Sequence, residues 1–334
     1  MHWTDQLKAF PIDWLLEPEN PAVQFLARRD LLGAGEAELA PLRKEAHSEG
    51  MIPFVLSKMS PQGYWEKPGP GYGPKYKSTV WSLQSLAQMG ASIEDERVSK
   101  ACQYFMDQAF TQSGHITYNG APGGTFDCLQ GNMLWALTEM GWWDERIEMA
   151  YEWMARTITG EGLAPRTDKK ATERYYAYKC GPNFACGANG NLPCGWGAVK
   201  VMRAFGNCPS GKRTPLIDSA IQAGIEFLLS VDPAQANYPV GEGQHQSQNW
   251  EKFGFPVFYI SDVLQTAEAL TGLGVTRDPR MQNLITLIHE KSDEQGRWNT
   301  QYSYGSKAWG NFGRLNSPSK WVTLRALRVL KAVG

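Results

Sequence analysis

Six cysteines carry the first chemistry in this 334-residue chain. Three follow in the pattern Cys180-x5-Cys186-x7-Cys194, and Cys128 stands upstream beside Asp127. Thiolates bind soft metals, and four within tetrahedral reach suit zinc, with an iron–sulfur cluster as the alternative. The expected ligand set is therefore Cys128, Cys180, Cys186 and Cys194, at a spacing looser than a zinc-finger knuckle. Four closed thiolates would make a structural site; three with an open position would make a catalytic one. Two other readings compete: free cysteine as a small buried hydrophobe, and disulfides in an exported chain. The start, Met1-His2-Trp3-Thr4-Asp5, lacks the basic and apolar regions of a signal peptide, which favours a cytoplasmic protein with reduced thiols. Cys102 and Cys208 fall in an outer helix and a turn, outside the set.

Carboxylates and histidines come next. Asp262 and Asp127 stand where apolar helices begin, so each is either a general acid or base at a cavity rim or a helix N-cap. His245 lies in the polar loop Gly243-Gln244-His245-Gln246-Ser247-Gln248-Asn249-Trp250, and His115 in another loop. Either can serve as a base or fourth metal ligand, or simply as a solvated loop residue. His289, late in an outer helix, complements the helix dipole. Pro68-Gly69-Pro70-Gly71-Tyr72-Gly73-Pro74 precedes Lys77-Ser78, but Tyr76 stands where a phosphate loop needs glycine, so the segment is a connection.

These residues sit on a repeated sentence. An apolar helix ends in Met-Gly, an Asp-x-Arg opens a second helix, and a glycine-aromatic loop leads to the next apolar helix. Trp81 to Gly90 then Asp95-Glu96-Arg97, and Asn132 to Gly141 then Asp144-Glu145-Arg146, are clear copies. Val263 to Leu270, then Gly274 and Asp278-Pro279-Arg280, form a third. Such a period predicts an array of helical hairpins. First-type helices are expected over 78–89, 128–140, 194–205, 261–273 and 319–332; they are apolar nearly all round and belong inside. Second-type helices over 95–109, 144–157, 215–230 and 278–291 carry one charged face and belong outside. The first 60 residues read as helical hairpins, with a helix over 21–32 stopped by Gly33.

Gln62-Gly63-Tyr64-Trp65 and Gln295-Gly296-Arg297-Trp298 each precede an apolar helix. With Gly114-His115-Ile116-Thr117-Tyr118 and Gly160 to Leu163 as degenerate copies, the chain resembles the prenyltransferase and squalene-cyclase-like superfamily, in a prokaryotic branch of it. The resemblance implies an all-α (α/α)6 toroid with inner and outer helix rings, one domain over 1–334, with helical hairpins over 1–60 and repeats over 61–334. The Asp-x-Asp-Asp acid of the cyclases is absent here, and Asp127 and Cys128 are adjacent rather than spaced as in the zinc pair of protein prenyltransferases.

A closed double ring leaves a central cavity. Aromatics make up 12% of the chain, with 13 Trp, and many must line either a core or an apolar cavity. Trp81, Trp196, Tyr175, Tyr176, Trp250 and Phe253 are expected to line the cavity, where they would hold an apolar or isoprenoid-like molecule. Their other use is packing between helices. A net charge of -1 without a basic run argues against nucleic acid, and no apolar stretch is long enough for a membrane span. The expectation is an enzyme acting on a small, largely apolar substrate, with a Cys-ligated metal at the rim. The alternatives are a non-catalytic binding toroid stapled by zinc, and a carbohydrate-active toroid using two facing carboxylates, Asp127 and Asp262.

Overall fold

The computed structural model describes residues 2–334 apart from 172–173 and 176–178. It is mostly helical. The chain opens with α1 (Ile12–Leu15), α2 (Pro21–Ala27), α3 (Glu36–Ser48) and α4 (Met51–Leu56). Hairpins follow: α5 (Thr79–Gln88) with α6 (Glu96–Ala109), and α7 (Asp127–Glu139) with α8 (Glu145–Thr159). A short antiparallel pair, β1 (Ala185–Cys186) and β2 (Leu192–Pro193), precedes α9 (Gly195–Gly206) and α10 (Pro215–Leu228). The last elements are α11 (Val263–Gly272), α12 (Gln282–Glu290) and α13 (Lys320–Val333). No helix among the described residues is long and apolar enough to cross a membrane.

The division into two helix types holds. Every residue of α5 is buried, and α7, α9, α11 and α13 are buried on most sides. In α6 only one stripe is buried, from Val98 through Cys102 and Phe105 to Ala109. The repeated Asp-x-Arg is a cap. Asp95, Asp144 and Asp278 each accept the backbone N–H two residues on, and the Arg at that position folds back to pair with the same carboxylate at 2.6, 2.6 and 2.7 Å. This satisfies one of the donors that a helix start leaves open. Two boundaries differ from expectation. The helix over 21–32 is α only to Ala27; the chain widens into a π turn over Arg28–Leu32 before the left-handed Gly33. Pro279 opens a 3-10 turn rather than α12 itself.

The two tryptophan loops are built alike. Trp65 Nε1 donates to Val55 O, and its backbone N–H to Thr79 Oγ1 of α5. Trp298 Nε1 donates to Ile288 O, and its N–H to Thr323 Oγ1 of α13. Each indole thus ties the end of one helix to the start of the next apolar one. In the degenerate copy Ile116 takes the tryptophan's place, and its N–H reaches Gln130 Oε1 of α7.

Apolar helices pack in sequence, α5 on α7, α7 on α9, α9 on α11, α11 on α13, and α13 on α2. Gly90, just past α5, lies against Leu26 and Phe25 of α2. The closest approach is between α7 and α9. A Cβ on Gly131 would lie 2.3 Å from the carbonyl carbon of Lys200, so the two backbones touch there. Backbone atoms cannot rotate aside as side chains do. Gly131→Ala therefore gains about 1 kcal/mol of helix propensity but forces the helices apart, at roughly 3 kcal/mol. A net loss near 2 kcal/mol in urea unfolding is expected; an unchanged or raised midpoint would refute the close packing.

Candidate functional site

The amino-terminal ends of α7 and α9 open on a cavity of about 640 Å³. Tyr72, Tyr118, Phe126, Trp196, Trp250 and Tyr259 form its aromatic walls. Their rings brace one another edge to face: Tyr72 on Phe126 at 5.5 Å and Trp196 on Tyr259 at 5.3 Å. Lys75 stands over Tyr72 and Tyr259, and Lys179 over Phe126.

Three thiols reach this cavity: Cys128, Cys186 and Cys194. Cys194 occupies the N-cap position of α9, without a side-chain hydrogen bond to the first turn. Cys186 lies across the β hairpin from Leu192. Its sulfur lies close to the Cys194 thiol and to the backbone N–H groups of Ala188 and Asn189. The Cys194 thiol and those two amides stabilise the anion and draw the Cys186 thiol down to about 6, against the desolvation of its surroundings. The same contact, with burial, holds the Cys194 proton in place and drives that thiol up. Burial pushes Cys128 up to about 12.

Cys180 lies behind the wall. Its thiol donates to Asp127 Oδ1 at 3.0 Å. Asp127 is the first residue of α7 rather than its cap, and it is buried. Its Oδ2, 3.9 Å from where a Cβ of Gly197 would be, has no hydrogen-bond partner. Burial raises its carboxyl to about 7 although the Cys180 bond opposes this. Asp127 is thus a carboxylic acid that keeps or gives a proton near neutrality.

The hairpin that carries Cys186 is fixed by Asn189. Its amide donates to Pro193 O and Pro239 O, each at 3.0 Å, and accepts the Gly241 N–H. This ties the hairpin to the loop that bears His245, which is exposed and lines the cavity.

Asp127, Cys128, Cys186, Cys194, His245, Trp196 and Trp250 line this one cavity. Other expected site residues lie elsewhere. Asp262 does not line the cavity. It caps α11 through the Gln265 N–H at 2.7 Å, and both its oxygens are gripped by Arg325 at 2.9 Å. Asp127 and Asp262 therefore do not form the facing carboxylate pair of a glycan hydrolase. Trp81 is core, its indole donating to Tyr72 O, and Phe253 is buried under Lys291. Tyr175 is buried with its hydroxyl on Thr157 O, off the cavity surface. Tyr176 lies outside the described residues. His115 is also structural: it is buried, stacks on Trp153 at 4.5 Å and holds the Pro122 carbonyl.

Among the described residues no three His, Cys, Asp or Glu side chains are arranged to hold a metal ion. The physical reason lies in the partners already taken: Cys180 serves Asp127, and Cys194 serves Cys186. All six cysteines are free.

Sequence reasoning missed Lys200. It is fully buried beneath the thiols, donates to Ser261 Oγ at 2.5 Å, and is pushed down to about 8 by desolvation, which the nearby Cys128 and Cys194 oppose. Its signal was available: it is a lone lysine in the middle of an apolar helix. Tyr72, Lys75, Tyr118 and Tyr259 were missed because they lie on loops without periodicity. No family model matches the chain, and no curated protein matches it.

Arg325 spends its guanidinium on Asp262, Glu268 and Gly254 O, nearly out of contact with water. Removing one partner strands a buried charge. Asp262→Ala is expected to cost about 3–5 kcal/mol in equilibrium unfolding while leaving Cys186 reactivity intact. A stable variant with altered thiol chemistry would return Asp262 to the site.

Proposed function

We propose that this protein is an enzyme that binds a small, largely apolar molecule in the aromatic cavity and attacks it with Cys186, Asp127 supplying the proton. The observation that carries this reading is geometric. Cys128, Cys186 and Cys194 and a buried carboxylic acid with one unpartnered oxygen line one cavity, with aromatic rings on its walls. The Cys186 sulfur forms a bond to an electrophilic carbon, and the displaced electron pair takes the Asp127 proton. Cys194 holds the thiolate in place between turnovers. Adding a thiolate to an alkene conjugated with a carbonyl fits these parts: sulfur–carbon bond formation breaks the C=C π bond and leaves an enolate, which Asp127 protonates, and the reverse steps, proton return to Asp127 and expulsion of the thiolate, free Cys186.

The scaffold we propose is a closed (α/α)6 toroid of the prenyltransferase and squalene-cyclase-like kind. Supporting it are the order of helix contacts from α5 round to α2, the return of Gly90 onto α2, and the matched tethering of Trp65 and Trp298.

The test uses two electrophiles. Iodoacetamide alkylation needs no proton; addition to cyclohexenone does. In native protein Cys186 is expected to react first with iodoacetamide, located by mass spectrometry, with a rate that rises as pH increases through about 6. Cys180, buried behind the wall, reacts only after unfolding, and Cys128, held as a thiol in the cavity, reacts far more slowly than Cys186. Asp127→Asn should slow cyclohexenone addition roughly 100-fold and leave alkylation nearly unchanged. Equal effects on both reagents, or an unreactive Cys186, would end the proposal. About one equivalent of zinc in protein purified without added metal, lost in Cys128→Ser and Cys194→Ser, would replace it with a metal-bound thiol cluster.

A further inference from the structure

The opposite ends of the same helices hold a second group of charges. The carboxyl-terminal ends of α7, α9 and α11 border a cavity of about 480 Å³. Its carboxylates are already engaged. Asp30 is held by Arg29 and Arg328. Glu139 takes Arg29 on one oxygen and Asn207 on the other. Glu268 is gripped by Arg325 through both oxygens. Lys331 donates to the carbonyls of Asp30 and Leu31.

Arg203 is left over. Its guanidinium carbon lies 3.3 Å above the centre of the Trp135 ring, and the group has no hydrogen-bond or ion-pair partner among the described residues. The last carbonyls of its own helix offer it little. The Asn207 N–H caps Ala204 O and Phe205 O, and Arg213 takes Phe205 O as well. Burial pushes the guanidinium below its usual range, with Arg325 and Arg328 adding repulsion that Glu268 and Glu139 offset, yet it stays charged at neutral pH.

We propose that Arg203 and Trp135 form a second binding site, one that takes a carboxylate borne on a small aromatic or apolar body. A stacked guanidinium keeps its plane fixed, so its outward N–H groups present a ready fork to two carboxylate oxygens. A partly buried cation that no carboxylate pairs directly, with Glu268 and Glu139 only offsetting Arg325 and Arg328, is the kind of group that a bound anion relieves. Trp135, Val329 and Ala332 supply apolar surface beside it. This site is independent of the thiol cavity, which lies at the other end of α9.

The experiment is calorimetry and thermal unfolding of the full chain with benzoate as probe, benzamide as its neutral isostere and chloride at matched ionic strength. Benzoate is expected to bind at one site and raise the unfolding temperature; benzamide binds at least tenfold more weakly and chloride gives no matching shift. Arg203→Gln should fold as well as the parent without ligand and lose the benzoate response. Arg203→Lys, which keeps the charge but not the fork, should weaken binding about tenfold. Trp135→Leu gives the same reading if Arg203→Gln fails to fold. Equal shifts from benzoate and chloride, or a full benzoate response in Arg203→Gln or in Trp135→Leu, would overturn the proposal. So would a loss of stability in both arginine variants without any benzoate binding to the parent, which would mark Arg203 as structural.

Discussion

The backbone contact between α7 and α9 sets the rest of the candidate site. Gly131 lets α7 rest on the Lys200 carbonyl, and Gly197 leaves room above Asp127, whose Cβ would be 3.3 Å from an added methyl. Helices that approach this closely bring their first turns together. Asp127 and Cys128 from one, and Cys194 from the other, then share a rim although 66 residues of sequence separate Cys128 from Cys194. Larger residues at either glycine would hold the axes at the usual 8–10 Å or beyond and open the rim. The β hairpin that brings Cys186 to the same rim is held by Asn189 to the Pro239 and Gly241 loop.

Burying so many ionisable groups at one place has a consistent electrostatic logic. Desolvation favours the neutral form of each: Asp127 protonated, Cys128 and Cys180 as thiols, Lys200 with a weakened hold on its proton. Cys186 escapes because it is only partly buried and because the Cys194 thiol and two backbone N–H groups lie close to its sulfur. One anion among neutral acids is the arrangement that nucleophilic attack followed by proton transfer needs. Farther in, the full charges of Asp262, Glu268 and Arg325 survive burial by satisfying one another, and they serve the fold rather than the cavity.

The parts of this protein that were legible in the sequence are those governed by local rules. Asp-x-Arg caps act within three residues, and apolar helices announce themselves by their lack of charge, so helix positions and types followed. The convergence of Cys128, Cys186 and Cys194 followed from neighbouring helices sharing a rim. What the thiols do there did not, because the Cys180–Asp127 and Cys186–Cys194 contacts depend on side-chain directions that spacing leaves open. Asp127 and Asp262 look equivalent in sequence, each at an inner-helix start. They part only because Arg325, 63 residues from Asp262, reaches one of them and Cys180 the other. Trp196 and Trp81 are likewise alike in sequence and opposite in use, since which face of a wholly apolar helix meets a cavity is a tertiary fact.

The polarity of the helices explains why the two ends of the bundle carry different chemistry. Exposed N–H groups at the starts of α7, α9 and the turn after Cys186 favour negative charge, and there the chain places thiols and carboxyls. Exposed carbonyls at the ends of α7, α9 and α11 favour positive charge, and there it places Arg29, Arg203, Arg328 and Lys331. The dipole accounts for the sign at each end, but not for the mismatch in number. Carboxylates were also supplied at the carbonyl end, against the dipole, and they engage every arginine except one. The partners given to Arg29, Arg325 and Arg328 show that this end is built by pairing charges rather than by leaving cations to the helix ends. Arg203, over Trp135 and lining the cavity without an ion pair among the described residues, departs from that rule, and the proposed carboxylate ligand would bring it back to the pairing seen around it.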